Sequence, residues 1–217
     1  MGIEDSPLRD TMVFLVGARR SGTNWLQRAL AAHPEVLAIP SETYVFSDGL
    51  RPLSERVQHG AVGLRRTGAV FMEREDFLEA SREFCDRLFA GVRERSNPSA
   101  RRIIERTPWH AYCVELIADV YPDSWVLHIV RDGRDVARSL LAQEWGPKTM
   151  REAAEEWRGS VEAARGARKP ARFREVRYEQ LLADPPAALP DLAHWLGLDA
   201  DRATIEQMLA EIGRAHV

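Results

Sequence analysis

The chain has 217 residues and carries 30 Lys plus Arg against 33 Asp plus Glu, a formal net charge of −3. A chain of this length suits one domain, here residues 1–217, and buries about 70% of its unfolded surface without a disulfide or metal. The near balance of charge argues against a general nucleic-acid binder, which would show a basic excess. With 45% hydrophobic and 29% charged residues, the composition is that of a soluble globular protein.

The two cysteines, Cys85 and Cys113, are too few for a disulfide scaffold or a zinc site. We expect both to lie in helices as small apolar residues. No apolar run reaches the roughly 18 residues of a membrane span. Residues 1–10 are polar and acidic, unlike a signal peptide. These features predict no membrane association and a reducing, cytoplasmic location.

Residues 12–17 and 125–130 are continuous apolar runs, typical of buried parallel strands, and the other strand-like segments alternate with segments of helical periodicity. The predicted strands are residues 12–17, 36–39, 102–106, 125–130 and 173–178. The predicted helices are residues 23 to about 33, 75–95, 112–121, 133–142, 149–168, 186–196 and 201–213. This alternation predicts an α/β fold, a three-layer α/β/α sandwich with a mostly parallel central sheet. Ligands bind such sheets beyond the carboxyl ends of the strands, which points to residues 17–24, 40–44, 105–110 and 131–135.

A glycine-rich loop follows the first strand. Residues 17–25 read Gly-Ala-Arg-Arg-Ser-Gly-Thr-Asn-Trp, with Gly17 and Gly22 five positions apart. A loop of this kind before a helix aims backbone N–H groups inward, and the helix N-terminus adds partial positive charge, so it predicts an anion cradle. Nucleotide hydrolases have a Lys after the second glycine, where this chain has Thr23. The alternative is a plain glycine-rich turn with solvated arginines.

Residues 131–139, which follow the fourth strand, contain a second pattern that predicts an anion site. Arg131 ends the strand, and Ser139 lies eight residues later in the next helix. Asp132 is placed to cap that helix, with Asp135 three residues on as in a capping box. An arginine with a hydroxyl makes a good phosphate clamp, although a capped helix with surface arginines fits equally well. Two anion sites at one sheet edge predict a ligand with phosphates at two ends.

Together these segments resemble the sulfotransferase family that uses 3′-phosphoadenosine 5′-phosphosulfate (PAPS). Residues 20–25, Arg-Ser-Gly-Thr-Asn-Trp, are similar to its loop for the 5′-phosphosulfate, and residues 129–139 to its 3′-phosphate motif. Residues 105–108, Glu-Arg-Thr-Pro, and residues 176–185 are similar to segments of the bacterial and tyrosylprotein branches. The resemblance runs in order from residue 12 to about residue 200 and implies a P-loop-like three-layer sandwich.

The resemblance implies roles for the matching residues. Arg20 matches the residue that contacts the 5′-phosphate and the bridging oxygen, Arg131 and Ser139 match ligands of the 3′-phosphate, and Tyr178 matches a cofactor-contacting position. The implied cofactor-binding set is Arg19, Arg20, Ser21, Gly22, Thr23, Asn24, Trp25, Arg131, Ser139 and Tyr178. Helix packing is an alternative role for Trp25, as is a core position for Tyr178.

The catalytic residues implied by the resemblance are Arg20, Glu42, Arg106 and His110, with no metal. Glu42 follows the second strand, where the tyrosylprotein and some bacterial branches have their general base, and a solvated surface glutamate is the alternative. His110, two residues beyond the Thr-Pro pair, is the reserve candidate for the base. Arg106 stands where the family has Lys and is expected to help neutralise the leaving group.

The activity implied is transfer of a sulfuryl group from PAPS, leaving PAP, to a hydroxyl in preference to an amine of a small-molecule or carbohydrate acceptor. Residues 43–100 are expected to be an insertion that shapes the acceptor pocket, with walls at Tyr44, Phe46, Phe71 and Trp109. The chain ends about where family members carry a basic loop over the 3′-phosphate, so we expect that loop to be absent. A P-loop nucleotide kinase and a shortened, non-catalytic nucleotide-binding member of the family stay open as alternatives.

Overall fold

The computed structural model describes residues 6–58, 72–199 and 201–214. Phe71, expected as a pocket wall, and the last three residues of the chain lie outside these ranges.

A parallel sheet of five strands forms the centre of the described part of the chain. The spatial order is β2-β3-β1-β4-β5, and every neighbouring pair is parallel. The strands are β1 (Met12–Gly17), β2 (Val36–Ala38), β3 (Arg102–Arg106), β4 (Trp125–Val130) and β5 (Arg172–Arg177). All five predicted strands and the predicted α/β sandwich are confirmed.

Helices connect these strands. Within the described residues they are α1 (Thr23–Ala31), α2 (Arg51–Gln58), α3 (Arg74–Ser96), α4 (Val114–Val120), α5 (Gly133–Leu141), α6 (Met150–Gly166), α7 (Tyr178–Ala183), α8 (Pro185–Trp195) and α9 (Arg202–Arg214). The helix predicted over residues 112–121 is instead a 3₁₀ helix, Pro108–Cys113, continued by α4. The sequence did not predict α2, α7 or the π-helical turn Val45–Leu50. None of the helices described is long and apolar enough to cross a membrane.

Helices cover both faces of the sheet. Phe14 of β1 packs on the face covered by α3 and α4. Leu15, the next residue, packs on the opposite face with side chains of α1, α8 and α9. Because successive residues of a strand point to opposite faces, both cores are filled from one strand, and every residue of β1 is buried. This two-sided burial explains the continuous apolar run in the sequence.

The segment over residues 43–100 belongs partly to the core. In its described part, α3 buries Phe77, Cys85 and Phe89 against the sheet. Phe46, expected as a wall of the acceptor pocket, is fully buried, and its ring centroid lies 5.3 Å from that of Phe14. Of the two expected walls that the structure describes in this segment, Tyr44 lines the cleft described below.

Both cysteines are free and buried. Cys85 lies in α3, and Cys113 ends the 3₁₀ helix that precedes α4. Burial raises the pKa of each thiol to about 12, so neither is a thiolate at neutral pH. Their expected role as small apolar residues in helices is confirmed.

The order of the strands places a crevice at the centre of the sheet. From β1 the chain moves to β2 and β3 on one side, and then crosses to β4 and β5 on the other. The loops after β1 and β4 therefore leave neighbouring strands at the point where the strand order reverses. Open α/β sheets bind ligands at such a switch point.

Candidate functional site

A cleft of about 700 Å³ opens at the carboxyl ends of β1 to β4. Its volume lies within the range of ligand sites in proteins, roughly 300–1,000 Å³. Among its lining residues are five arginines and one carboxylate, that of Glu42, so the cleft attracts anions. The lining residues are Arg19, Arg20, Gly22, Thr23, Asn24, Trp25, Arg28, Glu42, Tyr44, Arg106, Pro108, Arg131 and Trp145.

The loop between β1 and α1 curls at two residues with left-handed backbone geometry, Arg20 (φ 67°) and Gly22 (φ 96°). Gly22 is the residue just before α1. A Cβ atom at Gly22 would lie 2.5 Å from Cδ2 of Tyr178, so both the backbone angle and the close approach require glycine. Beyond it, Thr23 is buried and Asn24 is exposed at the first turn of α1, where backbone N–H groups lack helical acceptors.

Arg20 and Arg131 lie side by side, and neither forms an ion pair with any described residue. Arg20 Nε donates a hydrogen bond to Ser139 Oγ at 3.0 Å, and Arg131 Nη1 donates to the carbonyl oxygen of Arg20 at 3.3 Å. The Arg131 guanidinium carbon lies 4.7 Å from the ring centroid of Tyr178. The structure thus brings four of the predicted cofactor-binding residues together from the loop after β1, the end of β4, α5 and α7.

Three buried polar atoms near this cluster have no hydrogen-bond partner among the described residues. They are Ser21 Oγ, Trp25 Nε1 and Arg131 Nε. A buried polar group without a partner costs about 1–3 kcal/mol, and nearly all such groups in proteins are satisfied. These atoms therefore fit a site completed by a polar ligand or by water. Trp25 is also packed, with its ring centroid 5.6 Å from that of Tyr178.

Asp132 caps α5 as predicted, but its own backbone N–H donates to a different residue from the one predicted. Asp132 Oδ1 accepts a hydrogen bond from the backbone N–H of Arg134 at 2.8 Å. Hydrogen bonds from Arg134 hold the pKa of Asp132 below its usual range. The backbone N–H of Asp132 donates to Glu179 Oε1 at 2.7 Å, so Glu179 replaces the expected Asp135. Because Glu179 follows Tyr178, this bond ties the end of β4 to α7.

On the other side of the cleft, Glu42 is held by two donors. Arg106 Nη1 donates to Oε1, and the Tyr44 hydroxyl donates to Oε2, each at 2.5 Å. Arg106 Nε also donates to Gln27 Oε1 at 3.1 Å, which fixes the guanidinium from a second direction. The hydrogen bond to Glu42 is the main cause that raises the pKa of Tyr44 to about 12, so this hydroxyl stays protonated at neutral pH.

The fully buried Glu105 connects the loop after β2, which carries Glu42, to the loop after β3. Its Oε1 accepts hydrogen bonds from the hydroxyls of Thr43 at 2.8 Å and Thr107 at 2.6 Å. Burial acts to raise the pKa of Glu105, but contact with His110 and these hydrogen bonds outweigh it and lower the pKa. The sequence signal for this role was a carboxylate at the end of an apolar strand, Ile103-Ile104-Glu105.

The structure does not bring His110 to the cleft. The ring is fully buried, and its Nε2 accepts a hydrogen bond from the backbone N–H of Phe46 at 3.2 Å. This contact assigns the proton to Nδ1, which lies 2.9 Å from Glu105 Oε2. Both ring nitrogens are engaged inside the core. Of the two candidate bases, Glu42 is the one that lines the cleft.

Arg19 and Arg20 are adjacent in sequence but have different surroundings. Arg19 forms two hydrogen bonds to the carboxylate of Glu156, at 2.8 Å through Nε and 2.6 Å through Nη2. Its guanidinium lies 5.0 Å from the ring centroid of Trp109 and 4.4 Å from that of Trp145. Arg19 thus lines the cleft with its charge balanced by Glu156 and its guanidinium packed against aromatic rings. The sequence did not predict Glu156 or Trp145, which come from α6 and the loop after α5.

A family model described as the sulfotransferase family matches residues 12–202 of this chain. The chain is 26% identical over 147 residues to the nodulation protein NoeE of Sinorhizobium fredii, covering 67% of this chain and 34% of that protein. It is 26% identical over 183 residues to the protein-tyrosine sulfotransferase of Drosophila melanogaster, covering 80% and 35%. The chain spans about a third of the length of these relatives.

The fold is similar to that of solved sulfotransferases. The structure of STF9 from Mycobacterium avium matches with a TM-score of 0.63 at 15% identity, over 98% of this chain and 70% of that one. The structure of mouse sulfotransferase SULT7A1 complexed with PAP matches with a TM-score of 0.57 at 14% identity, over 94% and 64%. At these identities the likeness concerns the fold, and it agrees with the predicted α/β sandwich.

Proposed function

This chain belongs to the sulfotransferase family, and we propose that it transfers a sulfuryl group from PAPS to a hydroxyl, rather than an amine, of a small-molecule or carbohydrate acceptor. One observation carries the proposal. Arg20 and Arg131 face a single cleft as neighbouring cations, and no described carboxylate neutralises either of them. A ligand with more than one anionic group would supply the missing charge. A mouse relative of similar fold was solved in complex with PAP, which has phosphates at two positions.

The residues present fit such a cofactor. We assign Arg131 and Ser139 to the 3′-phosphate, and the loop from Arg20 to Asn24 to the 5′-phosphosulfate. The buried, unpartnered Nε of Arg131 and Oγ of Ser21 supply polar atoms that a phosphate oxygen or its hydration would satisfy. The first turn of α1 adds backbone N–H groups and the positive end of the helix dipole.

When bound, PAPS supplies a sulfuryl group, whose sulfur forms a bond to the acceptor oxygen as its bond to the phosphate oxygen breaks. We assign to Arg20 and the loop N–H groups the stabilisation of the charge on the departing phosphate oxygen. One such preorganised donor typically accounts for a factor of about 10²–10³ in rate. Arg106, held by Gln27 and Glu42, lies at the same cleft, where Glu42 balances its charge until Glu42 takes up a proton. We assign the neutralisation to these groups, with no metal.

Glu42 would take the proton of the acceptor hydroxyl. Each of its oxygens already accepts one hydrogen bond, from Arg106 or Tyr44, which orients the carboxylate and leaves further lone pairs free. A positioned base typically contributes a factor of about 10²–10⁴. The exposed ring of Trp145, which lines the same cleft as Glu42 and Tyr44, provides a face on which the ring of an acceptor can stack.

The test is acceptor-dependent release of PAP. The full 217-residue chain is incubated with PAPS and a panel of phenols, sugars and amines, and PAP and sulfated products are quantified by mass spectrometry. We expect PAP and sulfated product to appear in equal amounts with at least one hydroxyl acceptor, and at a far lower rate with Glu42→Gln. Absence of sulfated product across the panel, together with phosphorylated product from ATP–Mg²⁺, would contradict the proposal and favour a nucleotide kinase.

A further inference from the structure

The side chain of Gln27 is held in one orientation. Gln27 lies in α1 and is 5% exposed. Its Nε2 group donates to the carbonyl oxygens of Ile39, which follows β2, at 3.2 Å and of Ile104 in β3 at 3.5 Å. Because only the amide nitrogen can donate to a carbonyl, Oε1 points the other way, where it accepts from Arg106 Nε at 3.1 Å. Two strands of the sheet therefore set the direction from which Gln27 holds Arg106.

We propose that Gln27 is a positioning residue for the reaction, which holds Arg106 through Nε and so keeps Glu42 open to the acceptor. The proposal rests on the proposed function, in which Glu42 takes the proton of the acceptor hydroxyl. Gln27 is outside the lining of the cleft and acts on Glu42 through Arg106.

The pairing of Arg106 with Glu42 is less complete than arginine allows. Arginine and a carboxylate often form two parallel hydrogen bonds. Here Arg106 Nη1 binds Oε1 of Glu42 alone, and Oε2 accepts from the hydroxyl of Tyr44. Nε, which could make the second bond to Glu42, is used on Gln27. Without Gln27 the guanidinium is free to turn onto both oxygens of Glu42, which would occupy the lone pairs that the acceptor hydroxyl needs.

Gln27 also holds Arg106 after the proton has moved. Once Glu42 takes up the proton it is neutral and no longer balances the charge of Arg106. Gln27 is neutral throughout and keeps its hydrogen bond to Nε, so the guanidinium stays where it is and its charge becomes available to the cleft. Two of the five N–H donors of Arg106 are used on Gln27 and Glu42, and no described residue accepts from the other three.

The arrangement needs an arginine at position 106. A lysine has one compact ammonium group and no Nε–H that an amide oxygen could hold apart from the group that meets the carboxylate. Arg106→Lys therefore keeps the positive charge and removes the part of the side chain on which Gln27 acts. This makes the lysine variant the background in which the role of Gln27 can be isolated.

The experiment is a double-mutant cycle of Gln27→Met and Arg106→Lys in the full chain. Methionine has nearly the length of glutamine but no amide. With PAPS and the acceptor of the panel above that gives the most sulfated product, we expect Gln27→Met to slow transfer about 10-fold, the value of one hydrogen bond. The KM for PAPS should change by less than about 2-fold. In the Arg106→Lys background the same substitution should change the transfer rate by less than about 2-fold.

A second measurement needs no turnover. Nuclear magnetic resonance detects the Nε–H groups of arginines, and a hydrogen bond slows their exchange with water. The signal of Arg106 is identified by its absence in Arg106→Lys. We expect slow exchange in wild type and fast exchange in Gln27→Met. Gln27→Asn, whose shorter amide does not reach Arg106, should give the same result and serves if the methionine variant fails to fold.

The matched control is Gln207→Met, which changes an exposed glutamine of α9 outside the cleft lining and should alter neither measurement. Equal slowing of transfer by Gln27→Met in both backgrounds would overturn the inference and leave Gln27 a role in packing alone. So would a protected Arg106 signal in Gln27→Met or Gln27→Asn. Slow exchange in a wild-type chain that forms no sulfated product would instead contradict the proposed function, a pattern distinct from these two.

Discussion

In the half of the cleft formed by the loops after β1 and β4, Arg20 and Arg131 have no carboxylate partner among the described residues. In the half formed by the loops after β2 and β3, Arg106 and Glu42 neutralise each other at 2.5 Å. Both halves contain charged side chains, but among the described residues only the first half has arginines without a carboxylate partner. The difference supports the proposal that the first half binds an anion, while the second half orients a carboxylate.

Arg19 and Arg20 make the same contrast within two neighbouring residues. The charge of Arg19 is balanced by Glu156, and its guanidinium lies 5.0 Å and 4.4 Å from the centroids of two indole rings. Arg20 is exposed and bonds to a neutral hydroxyl. Counting arginines in the loop thus overstates its anion-binding capacity, and the partner of each side chain decides its role.

The largest effect is expected from Arg20→Ala, which removes an unpaired cation from the anion-binding half. Sulfuryl transfer should fall by about 10³-fold or more, because charge stabilisation of the leaving phosphate and cofactor binding are both lost. The measurement is the rate of PAP formation, with Arg138→Ala as the control. Near wild-type turnover would contradict the role of Arg20.

Glu42→Gln tests the orienting half. The amide keeps the shape of the side chain but is a far weaker base, so transfer should slow by about 10²–10³-fold. Affinity for PAP should not fall, because the anion-binding half keeps both of its unpaired arginines. Single-turnover kinetics and calorimetry measure the two quantities separately. An unchanged transfer rate would show that the proton goes elsewhere, and a lost PAP affinity would show that the two halves are not distinct.

Arg131→Ala sharpens the comparison inside the anion-binding half. Affinity for PAP should fall by about 10–100-fold, as expected for loss of a charge-assisted contact. Affinity for adenosine 5′-phosphosulfate, which lacks the 3′-phosphate, should change by less than about 3-fold. Calorimetry with both nucleotides checks the prediction. Equal losses for the two would mean that Arg131 does not read the 3′-phosphate.

The smallest effect is expected from Tyr44→Phe, which removes one of the two donors to Glu42. Transfer should fall by about 10-fold or less, the value of a single neutral donor, with PAP affinity unchanged. Rate measurements across a series of acceptor concentrations separate this from a change in acceptor binding. A loss as large as that of Glu42→Gln would mean that Tyr44 itself handles the proton.

The same variant tests the pKa of Tyr44. A pKa raised from 10 to about 12 means that the folded protein favours the neutral hydroxyl. Its contribution to stability is therefore complete below pH 10 and is lost as the pH rises towards 12. In ultraviolet titrations of tyrosinate, the difference between wild type and Tyr44→Phe should titrate near pH 12. A difference that titrates near pH 10 would mean that the bond to Glu42 is not formed in solution.

Local patterns were enough to predict the sheet and the anion-binding half. Continuous apolar runs identified β1 and β4, in which every residue is buried, and the spacing of glycines and of Arg131 and Ser139 identified the two loops. The orienting half depends on contacts between distant positions. Glu156 lies 137 positions from Arg19, and Gln27 lies 79 positions from Arg106, so no local sequence pattern indicates these contacts. The burial of His110 likewise follows from its contacts with Glu105 and Phe46, which only the folded chain brings together.

The central claim is that unpaired arginines mark a site for a nucleotide with two phosphorylated ends. The most direct measurement is a calorimetric titration of the full chain with PAP, with ATP–Mg²⁺ as the reference ligand. The account predicts a micromolar dissociation constant for PAP, about −8 kcal/mol, and binding of ATP–Mg²⁺ that is at least about 100-fold weaker. Binding of ATP–Mg²⁺ equal to or tighter than that of PAP would contradict it.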